Sequence, residues 1–285
     1  MSIPERVGVL GGGRMGAGIA HAFLLAGAEV VVVERNADLA AAARSRIHHN
    51  VAESVRRGTL HHQAKQLQAQ LVIDTDVDAF AGCDLVIEAV PEELALKLEA
   101  LRRVEGVIEP GTPLATNTSS ISIDTLAEQL ARPDAFLGLH FFNPVPSSQL
   151  VEIVVGDKTD PTLVERANGW VAALGKTPVV VRNSPGFASS RLGALLAVEA
   201  IRMLEEGVAS ADDIDAAMVL GYKHPIGPLR LTDMVGLDVR LAIVEYLHGE
   251  LGDRYEPPAL LRRLVAEGKL GRKTGEGFFV WEETS

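Results

Sequence analysis

Residues 6–16 read RVGVLGGGRMG, a short apolar run that ends on a cluster of glycines and opens a helical pattern. Gly11-Gly12-Gly13-Arg14-Met15-Gly16 fits G-x-G-x-x-G. In that spacing Gly11 permits a tight turn, Gly13 lets backbone approach a pyrophosphate and Gly16 allows close helix–strand packing. The N–H groups and positive dipole end of the following helix suit phosphates. Alone the motif is weak, but its context is specific: a strand precedes it, a helix follows it, and an acid ends the second strand. That acid is Glu34, 18 positions beyond Gly16, close to the ~20 such folds use to place a carboxylate on the ribose. The carboxylate repels a 2′-phosphate, so NAD is favoured over NADP; Arg35 beside it works the other way.

Outward from this loop the pattern alternates. The four valines at 30–33 have no polar partner face, as in a strand buried on both sides of a parallel sheet. Helix 37–57, strands 71–74 and 85–89, helix 92–105, strand 114–116, helix 122–130 and strand 136–140 follow, with strands 150–155 and 178–181 around a helix near 161–174. Strands separated by helices imply βαβ crossovers. From Pro185 onward the pattern is helical (187–206, 210–219, 228–248, 257–267), with a strand only in the last few residues if anywhere. The expected architecture is α/β: a Rossmann-type doubly wound sheet over 1–183, with a projecting helical hairpin at 37–67, and an all-helical C-terminal domain over 184–285 for the substrate cleft and dimerisation.

The bulk properties narrow the class. A chain of 285 residues accommodates two domains. Its net charge of -11 argues against a nucleic-acid partner. Cys83 is the single cysteine, so no intrachain disulfide forms and a reducing, cytoplasmic setting fits. No run approaches the ~18 apolar residues of a membrane span, and the N-terminus enters a strand pattern directly.

Four further segments join the glycine loop: TNTSS at 116–120, HFFNPVP at 140–146, PGF at 185–187 and GRKTGEGF at 271–278. Together, in this order and over essentially the whole chain, they resemble the L-3-hydroxyacyl-CoA dehydrogenase family, especially its short bacterial 3-hydroxybutyryl-CoA dehydrogenases. The resemblance implies His140 as the base, Glu152 as its carboxylate partner and Ser119 as donor to the substrate oxygen. An imidazole, ordinarily titrating near ~6.5, both accepts and donates protons near neutrality, and a carboxylate partner fixes its tautomer. The resemblance also implies Asn143 at the nicotinamide, Glu92, Lys97 and Lys273 on the cofactor side, and Asn50 and Arg57 on coenzyme A. Arg56-Arg57 is a local positive patch, equally readable as a solvated helix end before Gly58.

One position departs from the family pattern. Three residues after Pro185-Gly186-Phe187, where the family has asparagine, stands Ser190. It keeps a hydroxyl for the substrate oxygen, directly or through water, but is shorter and lacks the amide's second function. Other features have plainer readings: Ser120 or Ser122 as helix cap, Glu152 as a solvated strand residue, and the adjacent pairs His48-His49 and His61-His62 as non-chelating because neighbours on a helix diverge. Reversible oxidation of (S)-3-hydroxyacyl-CoA, in a homodimer, leads. A carrier-protein-bound hydroxyacyl group, a small hydroxy acid such as gulonate or carnitine, and a non-catalytic NAD-binding protein remain as alternatives.

Overall fold

The computed structural model describes residues 3–57 and 64–282, so His61, His62, Gly58 and the middle of the expected 37–67 hairpin lie outside the described residues. The chain divides into two compact units, Met1–Ser184 and Pro185–Ser285.

The first unit is built on β1 (Arg6–Leu10), α1 (Arg14–Leu25), β2 (Glu29–Val33), α2 (Ala37–Arg56), α3 (Ala64–Ala69), β3 (Leu71–Asp74), β4 (Leu85–Glu88), α4 (Leu94–Glu105), β5 (Leu114–Thr116), α5 (Ile123–Ala127), β6 (Phe136–Phe141), β7 (Leu150–Val155), α6 (Pro161–Ala173) and β8 (Thr177–Arg182). The strands form one sheet in the order β3-β2-β1-β4-β5-β6-β7-β8. The strand order reverses between β1 and β4, which opens a crevice at the carboxyl ends of these strands. Val30–Val33 are buried, with Val7, Val9, Leu85 and Ile87 beside them in the core.

The sheet departs from uniform crossovers at one place. β7 runs antiparallel to β6, because the link at 142–149 is too short for a helical crossover, which takes a dozen or more residues. The chain therefore turns back directly, and His140 falls opposite Glu152 in the register. β8 then pairs parallel with β7 through α6.

The second unit holds α7 (Ser189–Glu205), α8 (Ala211–Ala216), α9 (Pro228–Val235), α10 (Leu237–Leu251) and α11 (Ala259–Ala266). The single helix expected over 228–248 is two: Gly236 takes φ +102°, a conformation that breaks the helical path and suits glycine. The last residues form only isolated bridges, Gly271 with Glu276 and Glu276 with Val280. Apolar clusters around Leu237, Ile201 and Leu261, and around Val244, Leu247 and Tyr255, hold the unit together.

Candidate active site

The glycine loop sits at the carboxyl end of β1. Gly11 takes φ +93° and its N–H donates to the Val33 carbonyl at 2.8 Å. A Cβ on Gly16 would fall 1.7 Å from the Gly11 oxygen, so that position admits glycine alone. A Cβ on Gly13 would meet nothing within 4 Å. α1 begins at once behind Gly13, with no side-chain cap and no acid in its first turn. Open space at Gly13 and an uncapped helix N-terminus are what a pyrophosphate requires, so the residues present fit a dinucleotide. Glu34 stands beside the loop: Oε1 accepts the Gly12 N–H at 2.7 Å and Oε2 the Arg35 N–H at 3.3 Å. Arg46, from α2, donates to the Gly12 carbonyl at 2.7 Å. Arg14 is exposed and Met15 half-buried.

A polar network fills the carboxyl end of β4. Glu88 and Lys97 are 0% and 1% exposed and pair at 2.7 Å. Glu88 also accepts from the Val90 N–H at 2.6 Å and the Thr116 hydroxyl at 2.6 Å. Lys97 reaches Glu92 at 3.3 Å and the Val90 carbonyl at 3.2 Å. Glu92 then collects donors from the next loop: the Thr118 hydroxyl at 2.6 Å, the Ser119 N–H and hydroxyl at 2.8 and 3.2 Å, and the Ser120 N–H at 3.0 Å. Burial pushes the Glu92 carboxyl up, but the Lys97 charge and these hydrogen bonds outweigh it and hold it below the usual carboxylate range. The Lys97 ammonium thus lies inside the network that shapes the Ser119 loop. The helix cap is Ser122, which accepts the Thr125 N–H at 3.3 Å.

At the end of β6, His140 is 5% and Glu152 1% exposed. His140 Nδ1 lies 2.8 Å from Glu152 Oε2, so the carboxylate is a buried partner where V-E-I alternation also allowed a solvated residue. Phe142 packs against the imidazole at 4.3 Å between ring centroids. The Phe141 N–H donates to Asn117 Oδ1 at 2.9 Å, tying the Ser119 loop to the end of β6. Asn143 is exposed and precedes a cis bond to Pro144. Beyond it, Lys176 donates to the Val145 and Ser148 carbonyls at 2.6 and 2.5 Å and fixes the turn.

Other residues singled out from sequence have contacts of their own. Asn50 and Arg57 lie on α2; Arg56 and Arg57 are both largely exposed and share Glu53, at 2.7 and 3.8 Å. Of the adjacent histidines, His48 is half-buried and His49 exposed, and no cluster able to hold a metal occurs among the described residues. In the second unit, Lys273 grips both Asp238 oxygens at 2.6 and 2.7 Å. Ser190 is half-buried in the first turn of α7, entered through Gly186 and Phe187 at φ +73° and +51°. Sequence reasoning missed Glu88 and Asn117. Glu88 had a signal, as the one charge inside the apolar run 85–89.

A glycine loop at the switch point of a doubly wound sheet, an acid at the end of β2 and a buried His–Glu pair define a dinucleotide-dependent dehydrogenase. Residues 6–184 match the family described as 3-hydroxyacyl-CoA dehydrogenase, NAD binding domain, and residues 186–281 its C-terminal domain. The chain is 40% identical to a probable 3-hydroxybutyryl-CoA dehydrogenase of Deinococcus radiodurans, over 97% of this chain and 100% of that one. It is 41% identical to the 3-hydroxybutyryl-CoA dehydrogenase of Bradyrhizobium diazoefficiens, over 98% and 96%. The solved (S)-3-hydroxybutyryl-CoA dehydrogenase from Ralstonia eutropha superposes with a TM-score of 0.94 at 40% identity, covering 98% of this chain and 100% of that chain. The chain belongs to the 3-hydroxyacyl-CoA dehydrogenase family. It is an oxidoreductase of 3-hydroxyacyl-CoA thioesters, and its cofactor is NAD.

Proposed function

We propose that this enzyme reversibly oxidises (S)-3-hydroxybutyryl-CoA to acetoacetyl-CoA, with His140 as general base. The observation that carries the reading is the buried 2.8 Å contact of His140 with Glu152, beside a loop that presents Ser119. In oxidation His140 takes the C3 hydroxyl proton through Nε2, while Glu152 on Nδ1 holds the tautomer and stabilises the imidazolium that forms. Ser119 donates its hydroxyl to the substrate oxygen, exchanging its bond to Glu92 for one to the substrate. Ser190 supplies a second hydroxyl in place of the family's asparagine. Bound NAD supplies the hydride acceptor. Gly11, Gly12, Gly13 and Gly16 with Arg14 and Met15 shape the pyrophosphate seat, Glu34 serves the ribose, Asn143 serves the nicotinamide end, and Glu92, Lys97 and Lys273 line the cofactor side. Asn50 and Arg57 serve coenzyme A, supported by the positive patch Arg56-Arg57 on a chain of net charge -11.

We place the enzyme in a reducing, cytoplasmic setting, supported by its single, buried cysteine. We also place it in a homodimer formed through the second unit, supported by exposed Leu192, Met234 and Val239 there. Among the described residues no helix is long and apolar enough to cross a membrane.

The test is spectrophotometric: NADH oxidation with acetoacetyl-CoA, longer 3-ketoacyl-CoAs and free hydroxy acids, in wild type and His140→Ala. Turnover of short thioesters that collapses in the variant is expected. No turnover with any thioester, or near-full activity of His140→Ala, overturns the reading.

A further inference from the structure

Within the second unit the inward stripe of α10 reads Leu237, Arg240, Val244 and Leu247. Three of these four belong to apolar clusters, and the fourth is an arginine only 5% exposed. Its Nε is buried with no hydrogen-bond partner, and among the described residues no carboxylate pairs with its guanidinium. Other arginines show the contrast: Arg132, Arg230 and Arg262 each have a carboxylate within 4.0 Å. Burial without any opposing charge pulls Arg240 down to about 10. A guanidinium has five donors and no acceptor, and a buried cation without a partner is strongly unfavourable.

The packing locates this cation. Leu247 approaches Gly186, just before α7, while Leu237 clusters with Ile201 in the later half of α7. Arg240 therefore lies alongside the middle of α7, where the buried residues are Ala194, Ala197 and Val198. Ser190 is one helical turn before Ala194.

We propose that Arg240 is the receptor for an oxyanion of a small molecule, a carboxylate or phosphate taken up between the middle of α7 and α10. The planar fork of arginine matches such groups bidentately, and apolar surroundings strengthen the pairing once water is excluded. Two sources share this chemistry: a free anion, or a carboxylate at the far end of the acyl chain of a substrate. The second source rests on the thioester reading above, and the first does not.

Wild type, Arg240→Met and Arg240→Lys are compared by thermal unfolding in anion-free buffer and with added phosphate or succinate. Arg240→Met, which replaces an unpaired buried charge by an apolar chain, should be at least as stable as wild type without anion. A probe well above its Kd should raise the Tm of wild type by roughly 5 °C and leave Arg240→Met unmoved. In parallel, kcat/KM is measured for acetoacetyl-CoA and for a 3-ketoacyl-CoA that ends in a carboxylate. If the substrate is the source, wild type prefers the carboxylate-ended thioester by about tenfold or more, and the ratio falls to about one in Arg240→Met. A thermal shift without that preference assigns the site to a free anion. Identical responses of wild type and Arg240→Met in both arms overturn the proposal. Absence of turnover with every thioester removes the functional reading but leaves the thermal arm to decide the site.

Discussion

His140 and Glu152 face each other across one antiparallel register pair of β6 and β7, Nδ1 to Oε2 at 2.8 Å, with both side chains buried. The pairing is a product of backbone register, so neither residue needs a loop to hold it. Replacing the carboxylate by an amide of the same size keeps the packing and removes the charge that, in the proposed mechanism, fixes the tautomer and offsets the imidazolium. Glu152→Gln is expected to lower kcat by about 10²–10⁴-fold, with an unchanged far-UV spectrum and little change in the Kd for NADH. A kcat within threefold of wild type would show that Glu152 does not act through His140.

Glu88 and Lys97 form a buried ion pair on which Glu92, and through it the Ser119 loop, depends. Removing one partner leaves the other charge buried and uncompensated. Glu88→Ala is therefore expected to cost about 3–5 kcal/mol in urea unfolding, whereas Glu88→Leu combined with Lys97→Met recovers most of that loss. Activity should separate from stability: the double variant folds, yet Glu92 has lost its cation and kcat/KM remains low. Recovery of both together would mean that the pair is only structural.

The sheet was legible because strands buried on both faces read as unbroken apolar runs such as Val30–Val33, and the glycine loop because Gly11, Gly12 and Gly16 answer steric demands of the turn and its packing. Three matters lay beyond the one-dimensional pattern. Gly236 breaks the helix expected over 228–248, yet an isolated glycine in an apolar-periodic run is usually tolerated, and the sign of φ is not written in the residue. Glu152 between Val151 and Ile153 is compatible with a solvated face, and only the turn back after β6 places it against His140. The partner that buries Lys97 lies nine residues earlier in the chain, and only the fold of β4 sets Glu88 beneath it.

The glycines of the cofactor loop have separable duties. At Gly13 an added methyl meets no protein atom within 4 Å, whereas at Gly16 it falls 1.7 Å from the Gly11 oxygen. Gly13→Ala should fold with a Tm close to that of wild type but bind NAD about tenfold or more weakly, because its methyl projects where the pyrophosphate approaches. Gly16→Ala should lose on the order of 3 kcal/mol of stability even without cofactor. Calorimetric titration with NAD alongside urea unfolding distinguishes the two. Equal NAD affinity of Gly13→Ala and wild type would place the pyrophosphate elsewhere.

His21 makes the first unit acid-sensitive. It lies in α1, 1% exposed, with Nε2 3.0 Å from the Ser54 hydroxyl and Nδ1 without a partner among the described residues. Burial, and then the charge of Lys176, push the imidazole down from 6.5 to about 4. Between those two values the unfolded chain binds a proton that the folded one refuses, so stability rises with pH. The contribution is intact above ~6.5, declines as pH falls and levels off below about 4. From pH 7 to 5 wild type should lose roughly 2 kcal/mol through this residue. His21→Gln, neutral throughout, removes that slope and keeps a polar group for Ser54. Urea midpoints between pH 5 and 7.5 provide the measurement. Parallel curves for wild type and His21→Gln would assign the acid sensitivity to other groups.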